Sequence, residues 1–296
     1  MYDETIEILS VELLDRHRPL VEELKTLARS LGTELGWHYL LDLAWIISQL
    51  GDAPGKRILD AGAGIGLLQW YLAGKGATVV SADRNDRSDM SLRNRARYDV
   101  RGLRAQDLLS STGTLRQDVK KAKGALGKVK VLAQDVFWLL AMPFRKAQTG
   151  KVLVYNCDLE FLDEVADASL DAIVSVSALE HNTPEALKRV VDAMLCKLKP
   201  GGVLLATLGA SAGADWFHEA SHGWCYSDKS LRRIFSLDKT VPSNYADYEA
   251  LFSLLKDCVE LKDNLARFYF FSGENGMPWG KWEPQYQTVG VCKVKE

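Results

Sequence analysis

Apolar positions along the chain follow two periods, and the changes from one to the other predict its elements. Residues 4–31 place Ile8, Val11, Leu14, Leu20, Leu24 and Leu27 at helical spacing, with Pro19 dividing two predicted helices and Gly32 ending the second. A further helix is predicted from Glu34 to Leu50, closed by Gly51. The pattern then shortens. Ile58-Leu59 and Ala77 to Ala82 are compact apolar runs of the buried-strand type, separated by an amphipathic stretch from Leu67 to Ala73. Lys151 to Cys157, then Ser169 to Val176, then the segment behind the Pro200-Gly201-Gly202 turn give three more strands. Pro184 opens a helix at its first turn, with Ala186, Val190, Val191, Met194 and Leu195 on the apolar face. Ser227 begins another helix, and 244–270 read as helical again. Gln285 to Lys295 alternates, which predicts a last, antiparallel strand at the far side of the sheet.

One connection is too long for this alternation. Residues 84–150 stand where a short crossover helix would suffice. They contain a basic helical stretch (Ser88 to Tyr98), a short one (Leu103 to Leu109) and an apolar one (Leu126 to Met142) stopped at Pro143. The expectation is an α/β fold. It has a Rossmann-like, seven-stranded, mostly parallel sheet with helices on both faces, and a helical insertion between strands two and three. One domain spans 1–296, with an N-terminal helical cap (1–51), the basic insertion (84–150) and an aromatic lid (209–283).

Composition narrows this little. A chain of 296 residues with 47% hydrophobic and 26% charged residues buries a full core in one large domain. No apolar run reaches the roughly 18 residues of a membrane span; Leu40 to Leu50 is broken by Asp42, Ser48 and Gln49. The start, MYDETIE, lacks a signal pattern. Five scattered cysteines without C-x-x-C spacing suit a reducing cytoplasm. The net charge of −2 hides an uneven distribution, because the insertion is rich in lysine and arginine, most densely at Arg93, Arg95, Arg97 and Arg101. That is either a solvated helical face or a patch for an anionic partner, whether a phosphorylated substrate, a carrier protein, a membrane surface or RNA.

The densest chemistry lies between Arg57 and Asp83. A short strand ends in Asp60; Gly62, Gly64 and Gly66 follow, then a helix, then a second strand ending in Asp83. Glycines let backbone approach a ligand, and a helix N-terminus offers unpaired N–H groups. A dinucleotide site wants G-x-G-x-x-G, but here the third glycine comes one residue early and Leu67 holds its place. The pattern D-x-G-x-G-x-G resembles the first motif of class I S-adenosylmethionine (SAM) methyltransferases. The run SLDAIVSVSALEHN (169–182) and the Pro-Gly-Gly turn of 198–208 resemble later motifs of that family. Without them, a glycine turn that merely closes a strand–helix unit would explain the first motif alone.

The resemblance implies SAM as cofactor, with Asp60, Gly62, Ala63, Gly64, Gly66, Asp83, Arg84, Asp158, Leu159 and Ser177 around it. Asp83 would take the ribose hydroxyls, and Asp158 the adenine amino group, with Leu159 against the ring. It also implies methyl transfer, an in-line displacement that needs alignment and, for a hydroxyl acceptor, a base. Histidine suits that role near neutral pH. His181 after strand four, and His218 and His222 beyond strand five, are the catalytic candidates; His17 reads as surface. Trp37, His38 and Tyr39 face the site or pack against the sheet.

Residues 218–222 also spell H-E-x-x-H, the zinc-protease motif, but Gly213, Ser221 and Gly223 make a poor helix and no third histidine follows. No catalytic metal is expected. Ser177-Ala178-Leu179-Glu180 stands where enzymes acting on exocyclic amines resemble one another in [ND]-P-P-[YFW], so nucleic acid is not the expected acceptor. The lid loops carry Trp216, Phe217, Trp224, Tyr226, Trp279, Trp282 and Tyr286, flat faces suited to a small-molecule or glycan acceptor. O-methylation of such an acceptor, anionic if the insertion binds it, is the expected function. The alternatives are RNA or a carrier-bound substrate held by the insertion, or SAM binding without catalysis. Oligomeric state is left open.

Overall fold

The computed structural model describes residues 2–144, 150–265, 277 and 281–296. Among them run ten strands: β1 (Thr5–Ile8), β2 (Arg57–Ala61), β3 (Thr78–Asp83), β4 (Asp99–Gly102), β5 (Lys151–Asn156), β6 (Leu170–Val176), β7 (Leu198–Ala210), β8 (Trp216–His218), β9 (Gly223–Tyr226) and β10 (Gln287–Val294). Five of the eight pairings described within the two units below are parallel, so the α/β, mostly parallel expectation holds. The strand count is ten rather than seven. Residues cluster into two units, one of Ala53–Leu159 and one of Met1–Asp52 with Glu160–Glu296. The expected insertion lies in the first; the expected cap and lid lie in the second.

In the 53–159 unit, β2, the helix Leu68–Gly74 and β3 form a Rossmann-like βαβ unit, with Arg57 opposite Thr78 and Ala61 opposite Ala82. Ile58, Leu59, Val79, Val80 and Ala82 are wholly buried, as the continuous apolar runs require. β5 pairs with β3 and β4 with β5, all parallel. The insertion is therefore not purely helical: β4 follows the helix Leu92–Arg97, which Ser91 caps by accepting the Arg93 N–H. Where a helix was expected at 103–109 there is one short turn, Ala105–Asp107. The helix Ser111–Lys121 was not foreseen, because Thr114 is its one buried residue and leaves no apolar stripe. The helix Gly124–Ala141 follows as expected.

In the other unit, β6 and β7 are parallel, and β10 runs antiparallel to β7. The N-terminus corrects the sequence reading. Thr5-Ile6-Glu7-Ile8 is a strand, with Ile6 and Ile8 buried, paired antiparallel with β10. It thus takes the far side expected for β10, which lies between β7 and β1. The helices Glu12–Arg16 and Arg18–Leu31 follow, with Pro19 in the first turn of the second and Gly32 closing it in the left-handed conformation. Helix Tyr39–Leu50 starts later than expected and packs on β6, β7 and β10. Thr183 caps the helix Pro184–Lys197, as its proline predicts.

Helix Tyr39–Leu50 can lie so close only because β10 offers a glycine. A Cβ at Gly290 would stand 2.5 to 2.7 Å from the Trp45 ring, which is wholly buried and donates from Nε1 to Glu7. Gly290→Ala is therefore expected to destabilise the protein by about 1–3 kcal/mol through overpacking. The midpoint of urea unfolding measures it; an unchanged midpoint would refute this packing. Among the described residues no helix is long and apolar enough to cross a membrane, and the five cysteines are free thiols.

Candidate active site

The glycine turn of the 53–159 unit is built from its backbone. Gly62 and Ala63 both donate N–H to Ala82 O, at 2.9 and 3.0 Å, which fastens the exit of β2 to the end of β3. Gly62 and Gly64 have φ of 75° and 47°, the region glycine enters freely. A Cβ at Gly66 would meet Ala63 O at 2.9 Å, whereas one at Gly64 would meet nothing within 4 Å except Asp83 Oδ2. The turn thus leaves open space above Gly64 beside a carboxylate. Asp83 Oδ2 accepts the Gly64 N–H at 2.8 Å, and Oδ1 accepts the Asn85 N–H at 2.8 Å.

A buried polar network holds this turn from below. Gln69 Nε2 donates to Gly66 O at 3.1 Å, and Ser81 Oγ donates to Gln69 Oε1 at 2.7 Å. Arg87 Nη1 donates to Gly64 O at 3.0 Å and to Ser81 Oγ at 2.7 Å. Arg87 is buried, and burial holds its guanidinium below its ordinary range against the opposing pull of Asp83 and Asp60. Asp60 is buried too. Burial pushes its carboxyl up to about 7, with Asp83 adding to the rise, while Arg87 and the Gln69 N–H oppose it.

Arg84, expected around the cofactor, is exposed, whereas Arg87, three residues on, is buried and turns inward. No sequence signal separates the two, since the loop decides which one points in. Asp158 is exposed and Leu159 half-buried, just past β5. The arginines of the dense basic cluster have partners inside the insertion. Arg93 and Arg97 lie 5.9 and 5.8 Å from the Trp138 ring, Arg95 donates to Leu109 O and Ser111 Oγ, and Arg101 pairs with Asp99.

The other unit gathers a second cluster. β6 ends in Ser177, which has φ of 46° although it is not glycine, a strain of the kind that marks functional turns. Its N–H donates to Thr207 O at 3.1 Å, and its hydroxyl donates to Glu180 Oε1. Ser177, expected beside the cofactor, here serves Glu180. Glu180 is only 5% exposed, and its Oε2 has no hydrogen-bond partner among the described residues. Burial raises its carboxyl above the usual range; His181, the Ser177 hydroxyl and His38 act the other way.

The histidines differ by which nitrogen is engaged. His181 is exposed and donates from Nδ1 to His222 O at 2.9 Å, which leaves Nε2 of the neutral ring as its lone-pair nitrogen. His218 is buried, and its Nδ1 accepts the Ser221 N–H at 3.2 Å, so the neutral ring carries its proton on Nε2. Burial lowers its pKa and keeps it neutral. His222 is exposed at φ 51° in the turn between β8 and β9. The H-E-A-S-H run is therefore a hairpin, not the helix that a zinc-protease motif requires.

His38 stands apart. Its Nδ1 is 2.6 Å from Asp42 Oδ2, both residues are buried, and Asp42 Oδ1 accepts the Thr288 hydroxyl at 2.9 Å. Since Asp42 can only accept, His38 donates from Nδ1 and presents Nε2 as a lone pair. Its ring packs edge-on to Trp37 at 4.5 Å and Tyr39 at 5.3 Å. Of the expected lid aromatics, Tyr226 and Tyr286 are core residues, Trp216 is exposed, and Trp279 lies outside the described residues.

No family model matches the chain, and no curated protein matches it. Among solved structures it is similar to 1,6-didemethyltoxoflavin-N1-methyltransferase of Burkholderia thailandensis, at 14% identity over 95% of this chain and 89% of that one, with a TM-score of 0.46. It is similar also to geranyl diphosphate C-methyltransferase of Streptomyces coelicolor, at 11% identity over 96% and 83% of the two chains, TM-score 0.39. A third is the magnesium protoporphyrin IX methyltransferase of Synechocystis PCC 6803, at 14% identity over 97% and 85%, TM-score 0.39. What those proteins bind and methylate is theirs. Residue chemistry has to decide the function here.

Proposed function

We propose that this protein is a SAM-dependent methyltransferase acting on a small-molecule or glycan hydroxyl. The observation that carries this is the D-x-G-x-G-x-G turn fastened through its Gly64 N–H to the carboxylate of Asp83. The open space above Gly64, the acid at the end of β3 and the buried carboxyl of Asp60, which titrates near 7 and which a cation would favour ionised, fit a cationic nucleoside. Gly62 to Gly66 would cradle it, Asp83 would hold the ribose, and Asp158 and Leu159 would receive the adenine, with Arg84 at the exposed rim. When bound, SAM supplies an electrophilic methyl group on a sulfonium.

The chain's own task is to hold the acceptor and take its proton. His38 is the base we assign, with Nε2 presented as a lone pair and the imidazolium stabilised by Asp42, a positioning residue. His181 is the second histidine with a lone pair on Nε2; His218, protonated there, is suited to donate to the acceptor, and His222 orients His181 through its carbonyl. Glu180, buried beside His181 with its carboxyl raised by that burial, keeps Oε2 without a hydrogen-bond partner among the described residues. A reducing compartment, the cytoplasm, suits the free thiols.

Calorimetry with SAM tests the cofactor half, and no binding at millimolar SAM would sink the proposal. Incubating the protein with SAM and a panel of hydroxylated acceptors, followed by mass detection of one added methyl group, tests the other half. On an acceptor found that way, His38→Ala is expected to lower kcat by about 10²–10⁴-fold with SAM affinity unchanged. If His181→Ala produces that loss and His38→Ala does not, the base is His181.

A further inference from the structure

The helix Gly124–Ala141 wears its apolar side outward. Among the described residues twelve large apolar side chains are exposed, and seven of them, Leu126, Val129, Leu132, Val136, Phe137, Leu140 and Phe144, fall between 126 and 144. Leu126 is 89% exposed and Phe144, in the turn after the helix, 86%. At about 100° per residue the six within the helix occupy one arc of about 140°, with Ala125 and Ala133 in it and no polar residue. Lys123 and Lys130 flank one margin of that arc and Lys128 the other, and all three are exposed. The helix has a single carboxyl group, Asp135, and it is buried on the opposite side, hydrogen-bonded to Asp118 with both carboxyls raised.

Ordinary surface helices turn such a face to the core. Here the inward side is made by Trp138, stacked under Arg93 and Arg97, and by Asp135. A contiguous apolar face of this kind is uncommon on a monomer and calls for a cover. Charge selects the cover. A second copy laid on the same face would bring lysine margins against lysine margins, with no carboxylate on either arc. Anionic headgroups supply the missing charge, and acyl chains take the leucine, valine and phenylalanine side chains. The helix carries lysines beside its apolar arc and does not qualify as a span, so it lies on a membrane rather than crossing it.

We propose that Gly124–Ala141 docks the protein on an anionic lipid surface, lying in the headgroup plane with Leu126, Val129, Val136, Phe137 and Leu140 inserted and Lys123, Lys128 and Lys130 at the phosphates. The full chain is tested by flotation with phosphatidylcholine vesicles and with vesicles of equal parts phosphatidylcholine and phosphatidylglycerol. Binding to the anionic vesicles is expected to exceed binding to the neutral ones by at least about tenfold and to fall at high salt. The exposed-site variant Leu126→Glu/Phe137→Glu is expected to lose it with an unchanged melting temperature, and Lys128→Glu/Lys130→Glu to lose most of it. Equal binding to both vesicle types, or none to either, overturns the proposal. So does a dimer in analytical ultracentrifugation that Leu126→Glu/Phe137→Glu converts to monomer, since a second copy would then own the face.

Discussion

Replacing Asp83 by alanine is expected to weaken SAM binding by at least about tenfold, equivalent to about 1.4 kcal/mol. Two losses combine. The charge-assisted bonds that the carboxylate would give a ribose disappear, and the N–H groups of Gly64 and Asn85 lose their shared acceptor at the lip of the turn. Asparagine is a poor rescue. It offers one oxygen where two N–H donors converge, and its amide nitrogen would face the other donor. Titration calorimetry on the variant, with its circular dichroism and melting curve beside it, separates lost affinity from lost folding. A folded Asp83→Ala protein that binds SAM as the parent does would dismiss the end of β3 as the ribose site.

Affinity for SAM is also expected to rise with pH through about 7, the value to which burial pushes Asp60. The sign follows from which state holds the proton. An unfolded aspartate ionises near pH 4, so between about 4 and 7 the folded chain keeps a proton that the unfolded chain has lost. The stability that Asp60 contributes is therefore full below about pH 4 and is lost as pH rises through about 7. A ligand bearing a sulfonium and an ammonium favours the ionised carboxyl. Binding should then release a proton and tighten by up to about tenfold between pH 6 and 8. Calorimetry in two buffers of different ionisation enthalpy counts that proton. Asp60→Asn should abolish both the release and the slope; if they persist in the variant, another group is titrating.

The elements that could be read from the sequence are those whose burial is uniform or whose ends are marked. β2, β3, β5, β6 and β7 are continuous apolar runs, and Thr183-Pro184, Gly32 and Gly51 punctuate helices by local chemistry. β1 was illegible because four residues reading Thr-Ile-Glu-Ile fit either period, and only its pairing with β10, more than 280 residues away, decides. The Trp-Phe-His and Gly-Trp-Cys-Tyr segments read as lid loops, yet a hairpin buries Tyr226 and His218. In the candidate site, the turn made by Asp60, the three glycines and Asp83 was legible because backbone geometry dictates glycine there and Asp83 accepts the Gly64 N–H. Arg87, Gln69 and Ser81 were not, since each acts by pointing inward from a loop, helix or strand. Glu180 was passed over for its neighbour His181, because glutamate is seldom buried. His38 and Asp42 are one helical turn apart, a spacing visible in the sequence, but their burial was not.

The pairing of Thr5 with Cys292 and Ile8 with Val289 has a consequence for the order of events during synthesis. β1 waits for Pro242 to Asn244, which bond Ile6 and Ile8, and longer still for its strand partner β10. Residues 53–159 need no such wait, because β2, β3, β4 and β5 find their partners within about a hundred residues of one another. The nascent chain thus carries an unpaired strand edge, with Ile6 and Ile8 uncovered, until those segments have been made. Slow elongation near the end would lengthen that exposure, and a chaperone that shields short apolar strands would shorten it.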